Sequence, residues 1–188
     1  MNPVRQNNRV RIISGSWRGR KLAFPPVPGL RPTPDRVRET LFNWLDTVIR
    51  GRHCLDLFAG SGALGIEAAS RGAAQVVLVE NQPRVVEGLR EQLALLNATQ
   101  VEVVQADVER YLSGPPRPFD IVFLDPPFRE GRLPECMRSL EAGGWLAAQA
   151  WIYLEGEHGL VPHLPDNWTL HRSKHAGQVD YHLARRAT

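Results

Sequence analysis

Leu55-Asp56-Leu57-Phe58-Ala59-Gly60-Ser61-Gly62 runs directly into Ala63-Leu64-Gly65-Ile66. A short apolar run, a glycine turn and a helix-forming run in that order describe a strand, a tight turn and the start of a helix. Gly60, Gly62 and Gly65 satisfy G-x-G-x-x-G, and Glu80 stands about 20 residues beyond the first of them. Such a turn lets a nucleotide-like ligand approach the backbone. On spacing alone the unit fits a dinucleotide-binding fold equally well.

The same alternation continues outward. Cys54–Phe58 reads as the first strand of a sheet and Ala63–Ser70 as a helix closed by Gly72. Val76–Glu80 is a second strand, and Pro83 opens a helix with Val86, Leu89, Leu93 and Leu96 at helical spacing. Val101–Val104, Phe119–Asp125 and Trp151–Glu155 are three further strands. Short apolar runs separated by amphipathic helices predict a parallel sheet covered on both faces. Trp168–His175 and Gln178–Arg185, flanking Ala176-Gly177, read as a closing antiparallel hairpin. The expected fold is therefore α/β: a mostly parallel, Rossmann-like seven-stranded sheet with an antiparallel C-terminal hairpin.

The front of the chain differs. Arg9–Ser14 and Arg20–Phe24 flank Gly15-Ser16-Trp17-Arg18-Gly19 and predict a small basic β-hairpin with a Trp-bearing loop, followed by the stiff linker Pro25-Pro26-Val27-Pro28-Gly29. Thr33-Pro34 reads as a helix cap with proline at the first helical position, and Val37, Leu41, Trp44, Leu45 and Val48 share one face of that helix. We expect residues 1–30 to form an arm and residues 31–188 the main domain. Residues 1–52 carry eleven Lys/Arg against Asp35, Glu39 and Asp46, a net +8 that leaves −5 for the remainder of a chain of net +3. A basic arm on a mildly acidic body is the outline of a polyanion binder. No apolar run approaches the ~20 residues of a membrane helix, and Cys54 and Cys136 form no CxxC pair, so a reduced, cytoplasmic protein is expected. The six histidines show no metal-ligand spacing, and we expect neither a metal nor an obligatory dimer.

Three details favour S-adenosylmethionine (SAM) over a dinucleotide. Asp56 sits within the strand before the glycines, where dinucleotide folds carry an apolar residue. SAM bears a sulfonium and an ammonium, which suit a carboxylate, and no phosphate for a helix N-terminus to hold. Asp107 adds an acceptor after the third strand, either for an adenine amine or as a helix cap. Glu80, ending its strand, can accept both ribose hydroxyls.

Asp125-Pro126-Pro127-Phe128 carries the second half of the chemistry. Two prolines in succession donate no backbone hydrogen bonds, so the strand-end acid and their rigid carbonyls face a cleft as acceptors. An exocyclic base amine is a poor nucleophile because its lone pair is delocalised into the ring. Accepting its hydrogens at Asp125 and the Pro126 carbonyl localises that lone pair, and Phe128 can stack on the base. These features imply methyl transfer to a nucleobase nitrogen, by alignment more than by acid–base power.

The Asp56–Gly62 segment, Glu80, Asp125-Pro126-Pro127-Phe128 and Arg31-Pro32-Thr33-Pro34-Asp35-Arg36-Val37-Arg38-Glu39 together resemble the bacterial RsmD-type 16S ribosomal RNA guanine-N2 methyltransferases. The resemblance runs from about Arg9 to Arg185 and includes the Ala176-Gly177-Gln178-Val179 turn. It implies that Asp56, Gly60 and Gly62 line the methionine side of SAM, with Phe58 and Asn81 beside them. Glu80 then holds the ribose, Asp107 the adenine and Asp125–Phe128 the target guanine, while Thr33 packs near the cofactor. It also implies 16S rRNA in an assembled or partly assembled small subunit as the substrate. Arg18, Arg20 and Lys21 are candidate phosphate contacts, and Trp17 either stacks on an unpaired base or packs back on its hairpin. Arg31, Arg36 and Arg38 are RNA contacts or helix-surface charges. An adenine-N6 methyltransferase acting on DNA or RNA, a non-enzymatic RNA-binding assembly factor and a dinucleotide-dependent reductase are the competing readings.

Overall fold

A computed structural model describes residues 8–30, 32–127 and 130–187. Fourteen elements follow one another among them: β1 (Arg9–Arg11), β2 (Lys21–Ala23), α1 (Asp35–Leu45), β3 (His53–Asp56), α2 (Ala63–Ser70), β4 (Gln75–Glu80), α3 (Pro83–Leu96), β5 (Val101–Gln105), α4 (Val108–Leu112), β6 (Phe119–Leu124), α5 (Leu133–Ala142), β7 (Leu146–Glu157), β8 (Trp168–Ala176) and β9 (Val179–Ala187). β1 and β2 pair as an antiparallel ribbon, and the other seven strands form one sheet in the order β5-β4-β3-β6-β7-β9-β8. Strands β3 to β7 run parallel, while β9 pairs antiparallel with both β7 and β8.

Period-two alternation divides the core into two layers. Cys54, Val76, Leu78, Ile121, Phe123 and Tyr153 face the layer of α1, α2, α3 and the β1–β2 ribbon. Leu55, Val77, Val79, Val122, Leu124, Ile152 and Leu154 face α4 and α5. Neighbouring residues of each central strand are thus both buried, which explains the unbroken apolar runs in the sequence. The strand order reverses between β3 and β6, so their carboxyl ends open a crevice, the place where sheets of this kind bind ligands. No helix among the described residues is long and apolar enough to cross a membrane.

Four departures from the sequence reading bear on the ribbon and the site. The ribbon strands are shorter than Arg9–Ser14 and Arg20–Phe24, because the chain leaves the ladder to contact α2. Strand β7 begins at Leu146, well before Trp151; Phe119 pairs with Leu146 and Ile121 with Trp151 across a bulge. Thr33 is not the cap of α1: Pro34 holds that position with no side-chain hydrogen bond, and the Thr33 hydroxyl is engaged elsewhere. Arg38 is neither an RNA contact nor a surface charge. It is 1% exposed, on the face of α1 that packs inward.

A buried ionic knot explains that last departure and fixes the ribbon to the body. The Arg38 guanidinium donates to the carbonyls of Thr33 (3.2 Å) and Arg11 (3.0 Å) and to the Asp35 carboxylate, and it faces Glu67 at 3.5 Å. Glu67, on α2, accepts the backbone N–H groups of Ile13 (2.8 Å) and Ser14 (3.0 Å) and the Arg71 side chain (2.8 Å). One carboxylate thereby satisfies two backbone donors that the short ribbon ladder leaves over. Next to it, Ser16 and Trp17 donate their N–H groups to Ser70.

Candidate active site

Each parallel strand on the site's side of the sheet brings a carboxylate to the same crevice. β3 ends in Asp56, whose Oδ2 accepts the Gly65 N–H at 3.0 Å across the glycine turn. That short reach requires the helix to sit close to the strand: a Cβ on Gly65 would lie 2.2 Å from a Leu78 methyl carbon. Gly62, the residue before α2, has φ +76°, a left-handed conformation that favours glycine. The other Asp56 oxygen, Oδ1, is buried and has no hydrogen-bond partner among the described residues. Burial pushes the carboxyl up to about 7; the Gly65 and Phe58 N–H groups oppose the shift and the Glu80 charge adds to it.

Glu80 at the end of β4 accepts the N–H of Gly60 through Oε2 (3.0 Å) and that of Gln82 through Oε1 (2.8 Å), so it braces the glycine turn. Asp107 follows β5 and caps α4, accepting the Glu109 N–H at 2.9 Å. Its second oxygen pairs with Arg132 at 3.4 Å, and the Arg132 guanidinium lies 5.3 Å from the centre of the Phe58 ring. Asp125 follows β6. Its Oδ2 accepts the Thr33 hydroxyl at 3.3 Å, so the hydroxyl expected to cap α1 donates here instead. Loss of water, then the neighbouring Glu155 and Asp56 charges, push the Asp125 carboxyl well above the ordinary carboxylate range, against the Thr33 hydrogen bond.

These groups share one cleft of about 970 Å³. Of the residues singled out in the sequence, Thr33, Asp56, Phe58, Gly60, Glu80, Asn81, Asp107, Asp125, Pro126 and Pro127 line it. Gly62 does not; it shapes the turn behind. Phe128 lies outside the described residues, as does Arg31. Trp17, Arg18, Arg20 and Lys21 sit apart from the cleft on the ribbon. Trp17 is half-buried and packs against the core, Arg20 donates to the Leu95 carbonyl at 3.2 Å, and Arg18 and Lys21 are exposed.

Two further cleft residues are not marked by the sequence motifs. Glu155, in β7, is 3% exposed and accepts the Tyr153 hydroxyl at 2.6 Å. Its signal is an acid inside an apolar strand, the same signal that marks Asp56. Arg132 carries no pattern, since its role depends on where α5 begins. Among the described residues no group of three His, Cys, Asp or Glu side chains is placed to hold a metal ion.

The family model described as "Conserved hypothetical protein 95" matches residues 10–185. Ribosomal RNA small subunit methyltransferase D of Escherichia coli is 54% identical over 182 residues, covering 96% of this chain and 91% of that protein. The protein of the same name from Haemophilus influenzae is 45% identical, covering 93% and 92%. This chain belongs to the ribosomal RNA small subunit methyltransferase D family. The solved structure of yhhF from Escherichia coli superposes with a TM-score of 0.87 at 54% identity, covering 95% of this chain and 98% of that one. A precorrin-6y C5,15-methyltransferase from Geobacter metallireducens shares the fold at only 19% identity, with a TM-score of 0.65 over 88% of this chain. This chain is thus built on the SAM-dependent methyltransferase fold, with the β1–β2 ribbon at its front.

Proposed function

We propose that this chain transfers the methyl group of SAM to the exocyclic N2 amine of one guanine in 16S rRNA, on an assembled or partly assembled small subunit. The observation that carries the reading is the meeting of Asp56 and Asp125-Pro126-Pro127 in one cleft at the reversal of strand order. The names of the relatives supply the class of RNA.

The residues fit the cofactor. Asp56 keeps a buried oxygen unpartnered, and its carboxyl is held near neutrality by burial; an ammonium group at that oxygen would supply the missing donor and favour the ionised form. The glycine turn leaves room for the chain of an amino acid, and Glu80, fixed by two backbone donors, keeps lone pairs for ribose hydroxyls. Asp107, paired with the Arg132 that lies over the Phe58 ring, would close the adenine end. When bound, SAM supplies a methyl group already on a good leaving group.

The protein's own part is alignment. Asp125 and the Pro126 carbonyl accept the two amine hydrogens and turn the nitrogen lone pair toward the methyl carbon. A methylated amine nitrogen would be acidic, and Asp125 would take its surplus proton, which a raised carboxyl pKa favours. Phe128 would hold the base by stacking.

The arm of residues 1–30 supplies the RNA contact in this reading, with Arg18, Arg20 and Lys21 on phosphates. Neutralising all three is expected to weaken binding to small subunits and to lower the salt slope by about 0.7–0.9 for each phosphate that is no longer paired. Binding measured against salt concentration checks this; an unchanged slope removes the arm from the RNA interface. Trp17, packed on the core, is offered to RNA only at its exposed edge.

The decisive assay is labelled-SAM transfer to small subunits, naked 16S RNA and genomic DNA from cells lacking the enzyme, followed by nucleoside mass spectrometry. N2-methylguanosine from ribosomal material alone is the expected product. N6-methyladenosine, or its DNA counterpart, would replace guanine with adenine as the target, and tight SAM binding without transfer would refute the substrate assignment.

A further inference from the structure

Glu155 has no task in the reaction as derived above, yet it lines the cleft from a buried position. Its placement beside Asp125 follows from the sheet. β6 and β7 pair with Phe123 opposite Tyr153 and Leu124 opposite Leu154, and one step further along the same strands stand Asp125 and Glu155. Alternation puts both carboxylates on the side of Phe123 and Tyr153, whose rings meet edge to face at 6.4 Å. The Tyr153 hydroxyl donates to Glu155 Oε2 at 2.6 Å and fixes the side chain, which leaves Oε1 with its full accepting capacity.

The cleft lining at this end thus offers a set of neighbouring acceptors: Asp125 and Glu155 side by side, and the Pro126 carbonyl next along the chain. The Watson–Crick edges of the two purines that carry an amine respond to such a set in opposite ways. Guanine presents the N2 amine and, directly beside it, N1–H: a row of donors. Adenine presents the N6 amine beside a bare N1 lone pair. With the amine gripped by Asp125 and Pro126, the group that meets N1 decides which base is accepted. A carboxylate there accepts from guanine and repels adenine.

We infer that Glu155 accepts the N1–H of the target base and is the residue that selects guanine over adenine. This rests on the proposed guanine-N2 reading and supplies its missing specificity. Two adjacent carboxylates repel each other, and the same repulsion contributes to the raised Asp125 pKa; one N–H donor from guanine on each, N2–H on Asp125 and N1–H on Glu155, favours the ionised form of both. Adenine can be taken only if Glu155 holds a proton to offer N1. Burial raises the Glu155 pKa, against the Tyr153 hydrogen bond, so it is the N1–H donor of guanine that favours the ionised carboxylate, and that form excludes adenine.

The test uses small subunits reconstituted with 16S RNA that carries either guanine or 2-aminopurine at the modified position. 2-Aminopurine keeps the C2 amine but has a bare N1. The unaltered enzyme is expected to favour guanine by about a hundredfold or more in kcat/KM, since a site built to accept a hydrogen rejects an analogue lacking it. Glu155→Gln, whose amide can turn an N–H toward N1, should narrow that ratio at least tenfold with SAM affinity unchanged. Tyr153→Phe, which frees the Glu155 side chain while keeping its charge, should narrow it less. An active Glu155→Gln variant with an unchanged ratio would overturn the inference, as would equal loss of transfer to both bases at unchanged SAM affinity. If the unaltered enzyme binds SAM but methylates neither RNA, the guanine-N2 reading itself fails and takes the inference with it.

Discussion

Asp125→Ala should lower methyl transfer by at least about a hundredfold, in line with the loss of a preorganised polar group in a site that works by positioning. SAM affinity, measured by calorimetry or fluorescence, should be little changed, because the cofactor contacts proposed above fall on Asp56, Glu80 and Asp107. Stability separates this result from simple damage. Desolvation and two neighbouring carboxylates raise the Asp125 pKa, so its ionised form opposes folding at neutral pH and its removal should leave Tm unchanged or higher. The sign is that of an acid held above its unfolded value: the folded state binds the proton better, and stability falls as pH rises through that range. Retained turnover in the alanine variant would remove the amine-gripping role from Asp125. A fall in both turnover and SAM affinity would place it on the cofactor instead.

The second large effect belongs to a residue remote from the chemistry. Arg38→Ala should cost about 3–5 kcal/mol, the range for breaking a buried ion pair from one side, and should lower Tm on the order of 10 °C. The alanine leaves the Thr33 and Arg11 carbonyls without their donor and Glu67 with Arg71 as its remaining charged partner. Arg38→Lys should rescue little, since one ammonium cannot span the two carbonyls and two carboxylates reached by the guanidinium fork. Thermal unfolding with a chemical-denaturant series measures the cost, and a loss below about 1 kcal/mol would mean that the knot behaves like an exposed pair. Arg38 holds the carbonyl of Thr33, whose hydroxyl meets Asp125, so the ribbon's anchor and the site share one residue.

The sheet is legible in the sequence because its central strands are buried on both faces and stand out as apolar runs between turn residues. Asp56, Glu80 and Asp125 are legible for the same reason: a carboxylate beside such a run has no packing role to explain it. Glu155 meets that criterion too, but it ends a run that serves equally well as a plain fifth strand, with no glycine turn or proline pair beside it. Glu67 offers a comparable clue, the one charge in a helix of which every residue is buried. Thr33 shows the limit of local rules. Its position before Pro34 fits a helix cap, but the partner that claims its hydroxyl lies 92 residues further along the chain. Arg38 lies beyond helical spacing as a guide, because the spacing identifies a buried face and says nothing about a guanidinium that finds two carboxylates and two carbonyls there. Asp107 fits a local rule well, and the α4 cap it makes is one of the two roles the sequence leaves open.

At the antiparallel end of the sheet spatial order and chain order disagree, because β9 lies between β7 and β8. Until β9 has been made and inserted, β7 stands as an unpaired edge carrying the run Ala150-Trp151-Ile152-Tyr153-Leu154, apolar, rich in β-formers and without proline. Such an edge is a template for pairing with other chains. The hazard of misassembly is thereby concentrated in the interval before β9 seats, and it grows with the concentration of unfinished molecules. Yield on refolding should be limited by this bimolecular side reaction more than by the stability of the finished fold.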